Sequence, residues 1–168
     1  MSVSKTEFKF DVSKLLELYN DIQIPKDKTL DQNQISITSF DGKQLYVDNK
    51  FNEDYIRIPE IDLNLFNEHF KNTYLQEVLE SINKIYNTTK WRFMRLTTER
   101  RAYSYHKDET KRLHIPLLTN DECMFIIDKK LYDMNELGRM YKMDTTKHHT
   151  ALNLGWTDRV HIVGAINE

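Results

Sequence analysis

The segment Arg101-Ala-Tyr-Ser-Tyr-His106-Lys-Asp108 places an imidazole and a carboxylate two residues apart. In a β-strand, residues i and i+2 project from the same face, so a strand here would point both side chains into one space. A second pair of histidines, His148-His149, follows about forty residues later. One of these would complete a set of two histidines and one carboxylate, which holds non-haem Fe(II) on one face and leaves other positions open.

Short segments with the composition of β-strands extend on both sides of this motif. They are rich in β-branched, aliphatic or aromatic residues and are bounded by polar or turn residues. The predicted strands cover residues 91–97, 101–106, 112–118, 123–127, 139–143, 149–154 and 159–163. Regularly spaced short strands are typical of a β-sandwich, a barrel or a jelly roll. The sequence therefore predicts a mainly β fold in its C-terminal half.

The N-terminal half shows helical patterns instead. Residues 11–20 have apolar residues at helical spacing behind Asp11, a possible N-cap, and residues 62–86 carry a broad apolar stripe. Between these helices, strands 35–40 and 44–47 flank Asp41-Gly42, a hairpin signal. We expect one domain over residues 1–168, with a helical and mixed part at 1–90 and a catalytic β core at 91–168.

Composition limits the possible classes of function. The net charge of −2 gives no support for binding nucleic acid or a membrane surface. The N-terminus has no long apolar stretch, and no apolar run approaches the ~18 residues of a membrane span. The single cysteine, Cys123, cannot form an internal disulfide, so a reducing, cytoplasmic location is expected.

Strand parity gathers further polar side chains around the motif. Arg112 and His114 share a face of one predicted strand, His149 shares a face with Asn153, and Arg159 shares a face with His161. Burial of such groups is costly unless they form pairs or bind a ligand. A metal together with a dicarboxylate would satisfy them, since a guanidinium binds a carboxylate bidentately.

These residues occur in motifs with characteristic spacing. The motifs are Phe93-Met-Arg-Leu, Tyr105-His106-Lys-Asp108, Arg112-Leu-His114-Ile-Pro-Leu117, Asp144-Thr-Thr, His149-Thr-Ala-Leu-Asn153 and Asp158-Arg159-Val-His161-Ile-Val. Over roughly residues 91–164, the chain resembles the aspartyl/asparaginyl β-hydroxylase family. Proteins of that family are Fe(II)- and 2-oxoglutarate-dependent oxygenases with a double-stranded β-helix, a cupin-like jelly roll.

The resemblance implies a role for each matching residue. His106, Asp108 and His149 would bind iron, and Arg159 would hold the distal carboxylate of 2-oxoglutarate. The remaining matches lie near the cosubstrate or support the site: Arg112, His114, Asn153, His161 and Asp144. Because the chain has Asp108, where some members lack a carboxylate ligand, we expect a complete iron-binding triad.

The implied reaction is hydroxylation of an amino-acid side chain, free or in a polypeptide. It would consume O2 and 2-oxoglutarate and release succinate and CO2. Two other functions stay open, namely a metal-binding cupin-like protein with a different reaction and a binding module without turnover. Neither the identity of the substrate nor the oligomeric state can be derived from the sequence.

Two assignments of histidines also have alternatives. His148 could replace His149 as the third ligand, but Asn153 and Arg159 then lose the family's spacing from the histidine. His161 could be a hydrogen-bonded core residue or a residue of the pocket. For His106 and Asp108, the plain alternative is an exposed pair on a strand.

Overall fold

The computed structural model describes residues 1–23, 30–48 and 58–168. In this part of the chain the fold is mainly β, with two α-helices and antiparallel sheets. The helices are α1 (Val12–Asn20) and α2 (Tyr74–Asn83), and two 3-10 helices cover Glu60–Asp62 and Glu68–Phe70. The strands are β1 (Val3–Lys9), β2 (Leu30–Ser36), β3 (Thr38–Ser39), β4 (Tyr46–Asp48), β5 (Leu65–Phe66), β6 (Thr88–Leu96), β7 (Lys111–Leu118), β8 (Cys123–Ile127), β9 (Lys130–Tyr132), β10 (Arg139–Met143), β11 (His149–Asn153) and β12 (Arg159–Ile166).

Two sheets position the functional residues. The major sheet has seven strands in the order β1-β10-β7-β12-β6-β2-β4, and every neighbouring pair is antiparallel. The minor sheet has the order β11-β8-β9 and is also antiparallel. A third, two-stranded sheet pairs β3 with β5.

The two faces of the major sheet have different environments. One face packs against the helices and forms the larger core, in which Ile115 of β7 and Ile162 of β12 meet Leu15 of α1 and Leu79 of α2. The other face meets the minor sheet, and a smaller core there includes Phe125 of β8. Alternate residues of a strand point to opposite faces, so β7 and β12 contribute to both layers.

Helix α1 agrees with the prediction, whereas the second predicted helix is too long. Asp11 caps α1 by accepting hydrogen bonds from the backbone N–H groups of Ser13 and Lys14, at 3.0 and 3.3 Å. Residues 62–73 are not α-helical, because the chain forms β5 and a 3-10 turn there, and Asn72 has a φ of +60°. The apolar stripe persists only over α2, where Leu75, Val78, Leu79 and Ile82 are buried.

The predicted strand at 101–106 is wrong. This segment forms only two isolated bridges to β11, Ala102 to Leu152 and His106 to His149. Four steps along the segment therefore oppose three steps along β11. The extra residue interrupts the hydrogen-bond ladder as a β-bulge does, so no continuous strand forms.

The other predicted strands of the C-terminal half are present, but β1 and β9 were not predicted. In β1 the side chains after Val3 are mostly exposed or half-buried, so the strand has little hydrophobic pattern. In the N-terminal half, β2 and β4 pair through Ile35 and Tyr46, as the predicted hairpin requires, but the predicted strand 35–40 is wrong in part, because residues 38–39 form β3 and pair with β5.

Residues 1–90 supply three strands of the major sheet, namely β1, β2 and β4. The predicted division of one domain into an N-terminal part, 1–90, and a β core, 91–168, stays a prediction. Within the described ranges, no helix has the length and apolar character to cross a membrane.

Gly164 of β12 allows close packing between two strands of the major sheet. A Cβ atom at this position would lie 2.4 Å from Cδ2 of the buried Trp91. We expect Gly164→Ala to lower the free energy of unfolding by about 1–3 kcal/mol in urea titrations, because the indole cannot move without disturbing the core. The control is Gly155→Ala, whose Cβ would lie nearest to the amide end of the Asn120 side chain rather than to a ring of the core. Equal losses in both variants would contradict this packing argument.

Candidate metal centre

Three predicted ligands meet between the two sheets. One potential ligand atom from each of His106, Asp108 and His149 lies within 4.8 Å of the other two. Nε2 of His106 is 3.7 Å from one carboxylate oxygen of Asp108, and Nε2 of His149 is 3.6 Å from the other. Adjacent ligands about 2.1 Å from a common ion lie roughly 3 Å apart. The three side chains thus need only small movements to share one ion.

The backbone brings the two imidazoles together. The N–H of His106 donates to the carbonyl of His149 at 3.1 Å, and the N–H of His149 donates to the carbonyl of His106 at 2.8 Å. Residues that exchange both hydrogen bonds lie directly opposite each other in an antiparallel pair, with their side chains on one face. The two ring centroids are accordingly 4.5 Å apart.

Hydrogen bonds to carbonyls define the tautomers of both histidines. Nδ1 of His106 lies 2.7 Å from the carbonyl oxygen of Ser104, and Nδ1 of His149 lies 3.0 Å from that of Lys147. A carbonyl only accepts, so Nδ1 of each ring donates and the lone pair remains on Nε2. This is the arrangement by which a backbone carbonyl orients a metal-binding histidine.

Asp108 is held by a buried network of charges. Nε of Arg112 donates to Oδ2 of Asp108 at 2.9 Å, and the same guanidinium forms two hydrogen bonds with Glu60, at 2.7 and 2.8 Å. Lys90 also pairs with Glu60. Arg112 and Glu60 are only 2% and 7% exposed. The network fixes the carboxylate of Asp108 beside the two histidines.

The charges of this network change the pKa of its members. Burial alone would raise the pKa of Glu60, but hydrogen bonds and charges from Arg112 and Lys90 outweigh it and lower that pKa to about 2. Burial would likewise lower the pKa of Arg112, yet contacts with Glu60 and Asp108 raise it. Glu60 and Arg112 are therefore both charged at neutral pH.

A cavity of about 300 Å³ opens beside the three candidate ligands. Its lining contains residues from both sheets and from the segment that carries His106. The lining residues are Gln34, Lys90, Arg92, Met94, Tyr103, Ser104, His106, Asp108, His114, Phe125, His149, Ala151, Arg159 and Val163. The lining therefore combines charged and polar side chains with apolar ones.

Arg159 is buried in this cavity, and no carboxylate in the described ranges pairs with it. Its Nη2 lies 3.1 Å from Nδ1 of His161, which accepts this hydrogen bond. Burial lowers the pKa of Arg159 to about 10, so the guanidinium stays charged at neutral pH. A buried cation without a counterion is costly, and an anionic ligand would remove that cost.

Two further buried histidines lie next to Arg159. Burial, followed by the charge of Arg159, lowers the pKa of His114 and of His161 well below the usual range, so both rings are neutral. Among the described residues, no hydrogen-bond partner exists for Nδ1 of His114 or Nε2 of His161. His114 lines the cavity, whereas His161, the hydrogen-bond partner of Arg159, does not.

The other predicted site residues lie outside the cavity lining. The Arg112 guanidinium forms hydrogen bonds with Asp108 and Glu60. The Asn153 side chain donates to the carbonyls of Leu96 and Thr157 and so holds the turn before β12. The His148 ring is exposed and stacks on Tyr105, while His149 is buried, so the structure brings His149 and not His148 into the group.

Sequence reasoning missed Glu60 and Arg92. Glu60 lies 52 residues from its partner Arg112, and no local pattern indicates this pairing. Arg92 could have been found from strand parity, because it alternates with Trp91 and Phe93, which face the helix-side core.

The sequence profile of the aspartyl/asparaginyl β-hydroxylases matches residues 66–167. The chain therefore belongs to this family, which makes it a hydroxylase in general class. No curated protein matches the chain. Among solved structures, it is similar to the crystal structure of IDO from Bacillus thuringiensis, with 13% identity and a TM-score of 0.45 over 92% of this chain and 80% of that one.

We expect Glu60→Gln to destabilise the fold, because it leaves Arg112 buried without its main counterion. The loss should be about 2–3 kcal/mol in urea unfolding at pH 7, since glutamine keeps part of the hydrogen bonding and solvent screens part of the charge. A lowered pKa stabilises the fold above the ordinary value of 4.5, and this contribution is lost as pH falls toward 2. The difference from wild type should shrink over that interval.

The matched control is Glu136→Gln. Glu136 also pairs with several cations, Lys5, Lys9 and Arg139, but at the surface. Its replacement should change the free energy of unfolding much less. If Glu60→Gln is as mild as this control, the pairing of Glu60 with Arg112 does not stabilise the fold as a buried charge network should.

Proposed function

We propose that the protein is an Fe(II)- and 2-oxoglutarate-dependent oxygenase that hydroxylates an amino-acid side chain, free or in a polypeptide. One observation carries the proposal. His106, Asp108 and His149 converge with their ligand atoms turned to a cavity that also contains Arg159, a buried cation with no carboxylate partner in the described ranges. Family membership supports the same class of reaction.

The donor set suits ferrous iron. Two neutral imidazoles and one carboxylate are the facial set of non-haem Fe(II) oxygenases, which leaves positions for ligands other than the protein. Burial lowers the pKa of His149, which keeps that ring neutral and its Nε2 lone pair available at neutral pH. The facing sheets support a double-stranded β-helix as the architecture that holds these ligands.

Arg159 and His114 suit the cosubstrate. The Arg159 guanidinium can bind the distal carboxylate of 2-oxoglutarate bidentately. His114 is neutral and lines the cavity, and its unpartnered Nδ1 can donate to or accept from a bound oxygen atom. Both residues stand on the cavity face of neighbouring strands, β12 and β7.

The bound iron would supply oxidative decarboxylation of 2-oxoglutarate by O2, with succinate and CO2 as products, coupled to hydroxylation of a substrate C–H bond. The protein's own residues bind and orient the reactants. Phe125 and Ala151, which also belong to the smaller core, supply apolar surface to the cavity, which disfavours water there. The carbonyls of Ser104 and Lys147 hold the imidazole rings at fixed angles, and Arg112 holds the carboxylate. Fixed ligands and a dry wall are the protein's contribution to such catalysis.

The experiment that tests the proposal is an assay of succinate release with purified protein, Fe(II), ascorbate and 2-oxoglutarate. Slow release without a second substrate, dependent on both iron and 2-oxoglutarate, is expected. A protein that binds iron but neither binds nor consumes 2-oxoglutarate would instead be a metal-binding cupin-like protein with another reaction. A protein that binds neither would be a binding module.

We expect His106→Ala and His149→Ala to abolish stoichiometric Fe(II) binding, because each removes one of three ligands. His148→Ala is the control: its ring is exposed and stacks on Tyr105, so iron binding should be unchanged. Metal content after anaerobic loading and desalting measures the outcome. Retained stoichiometry in His106→Ala, or equal mild losses in His148→Ala and His149→Ala, would overturn this ligand set.

We expect Arg159→Gln to weaken 2-oxoglutarate binding by about 2–5 kcal/mol, because the distal carboxylate loses its buried partner. Anaerobic calorimetry with the iron-loaded protein measures the dissociation constant. Arg139→Gln is the control, since Arg139 pairs with Glu136 at another strand of the major sheet. An unchanged affinity in Arg159→Gln would remove this residue from the cosubstrate site.

A further inference from the structure

A second guanidinium, that of Arg92, lines the same cavity as Arg159. Its Nη1 donates to Oε1 of Gln34 at 2.6 Å, and its buried Nε has no hydrogen-bond partner among the described residues. Within those ranges no carboxylate forms an ion pair with it. Burial, followed by the charge of Arg112, lowers the pKa of Arg92. Among the described residues, Arg92 is thus a cation that has no acceptor for its Nε–H and no carboxylate counterion.

Neighbouring side chains hold Arg92 in place without neutralising it. Gln34 uses its Nε2 to donate to Asp31 at 3.0 Å, which orients its Oε1 toward Arg92. Asp31 in turn accepts from Arg100. These contacts orient the guanidinium and leave its remaining N–H groups available to the cavity.

The balance of charge around the cavity favours an anionic ligand. Four cations lie in or directly behind its wall, namely Lys90, Arg92, Arg112 and Arg159, against two carboxylates, Glu60 and Asp108. Both carboxylates already have close partners, because Glu60 pairs with Lys90 and Arg112, and Asp108 pairs with Arg112. Arg92 and Arg159 therefore remain as the two cations without an acidic partner among the described residues.

The two arginines reach the cavity from different positions. Arg159 pairs with Leu96 of β6, and Arg92 lies four residues away on the same strand. Four residues of a β-strand span roughly 13 Å. The backbone positions of Arg92 and Arg159 are therefore far enough apart for the two guanidiniums to contact two different carboxylates.

We propose that Arg92, oriented by Gln34, binds a carboxylate of the substrate to be hydroxylated. This inference rests on the proposed function, in which Arg159 binds the cosubstrate. The substrate class is then an acid of modest size, either a free amino acid bound through its α-carboxylate or a polypeptide bound through an Asp or Glu side chain. A cavity of about 300 Å³ suits one such group together with 2-oxoglutarate.

The test measures binding of acids and of their amides to the anaerobic Fe(II)·2-oxoglutarate complex by calorimetry. One arm uses the twenty free L-amino acids and their α-amides. The other uses capped tripeptides with central Asp or Glu, compared with central Asn or Gln. We expect at least one acid to bind at least thirty-fold more tightly than its amide, since loss of a buried charged partner costs this much. The arm in which it occurs identifies the source of the carboxylate.

Arg92→Gln should reduce this preference for the acid to less than about threefold, while the affinity for 2-oxoglutarate changes far less than in Arg159→Gln. Arg92→Lys keeps the charge and should retain part of the preference. Arg95→Gln is the control, because Arg95 lies on the same strand but pairs with Asp158 and does not line the cavity. It should keep the full preference.

The outcomes separate the two proposals. If the wild-type, iron-loaded protein binds no 2-oxoglutarate, the proposed function fails. If it binds 2-oxoglutarate but binds no acid better than its amide, or if Arg92→Gln keeps the preference, the assignment of Arg92 is overturned and the proposed function stands. If Arg92→Gln abolishes 2-oxoglutarate binding, Arg92 belongs to the cosubstrate site instead.

Discussion

The candidate metal centre depends on one β-bridge, which joins His106 to His149. His106 and His149 exchange both backbone hydrogen bonds, at 3.1 and 2.8 Å, although 43 positions separate them in the sequence. This pairing places the imidazoles side by side and defines where Asp108 must lie to complete the group. Beyond His106 the pairing with β11 ends, because the backbone N–H of Asp108 donates to the carbonyl of Thr145 instead, and the Asp108 carboxylate faces both rings.

The bridge alone does not hold the carboxylate, and buried charges complete the arrangement. Arg112 lies between Asp108 and Glu60, and it satisfies two acids that would otherwise repel each other. Such a network is costly to bury, so its value lies in the orientation it imposes rather than in net stability. Glu60 also precedes the residues that match the family profile, so this chain supports its site with an element outside that region.

The sequence predicted that His106, Asp108 and His149 lie together, and the structure brings them together, but in part for a different reason. A strand over residues 101–106 would have placed His106 and Asp108 on one face, whereas an isolated bridge and a turn do so. Local pattern sufficed for α1 and for most strands, because alternation and capping are encoded within a few residues. It failed at residues 62–73, where pairing of β5 with the distant β3 overrides the helical stripe, and at Glu60, whose partner Arg112 lies 52 residues away.

The alternation of side chains across the major sheet explains how a charged cavity can adjoin an apolar core. On β12, Ile162 faces the helices while Arg159 faces the cavity, and on β6 Phe93 and Arg92 divide in the same way. On each strand, apolar contacts on the opposite face offset the free-energy cost of placing a cation on the cavity face. Because parity fixes which face each residue occupies, Arg92 and Arg159, which have no acidic partner in the described ranges, both line the space beside the candidate ligands. A cavity built in this way is complementary to anions before any ligand enters, and its two separated cations favour two acidic groups rather than one.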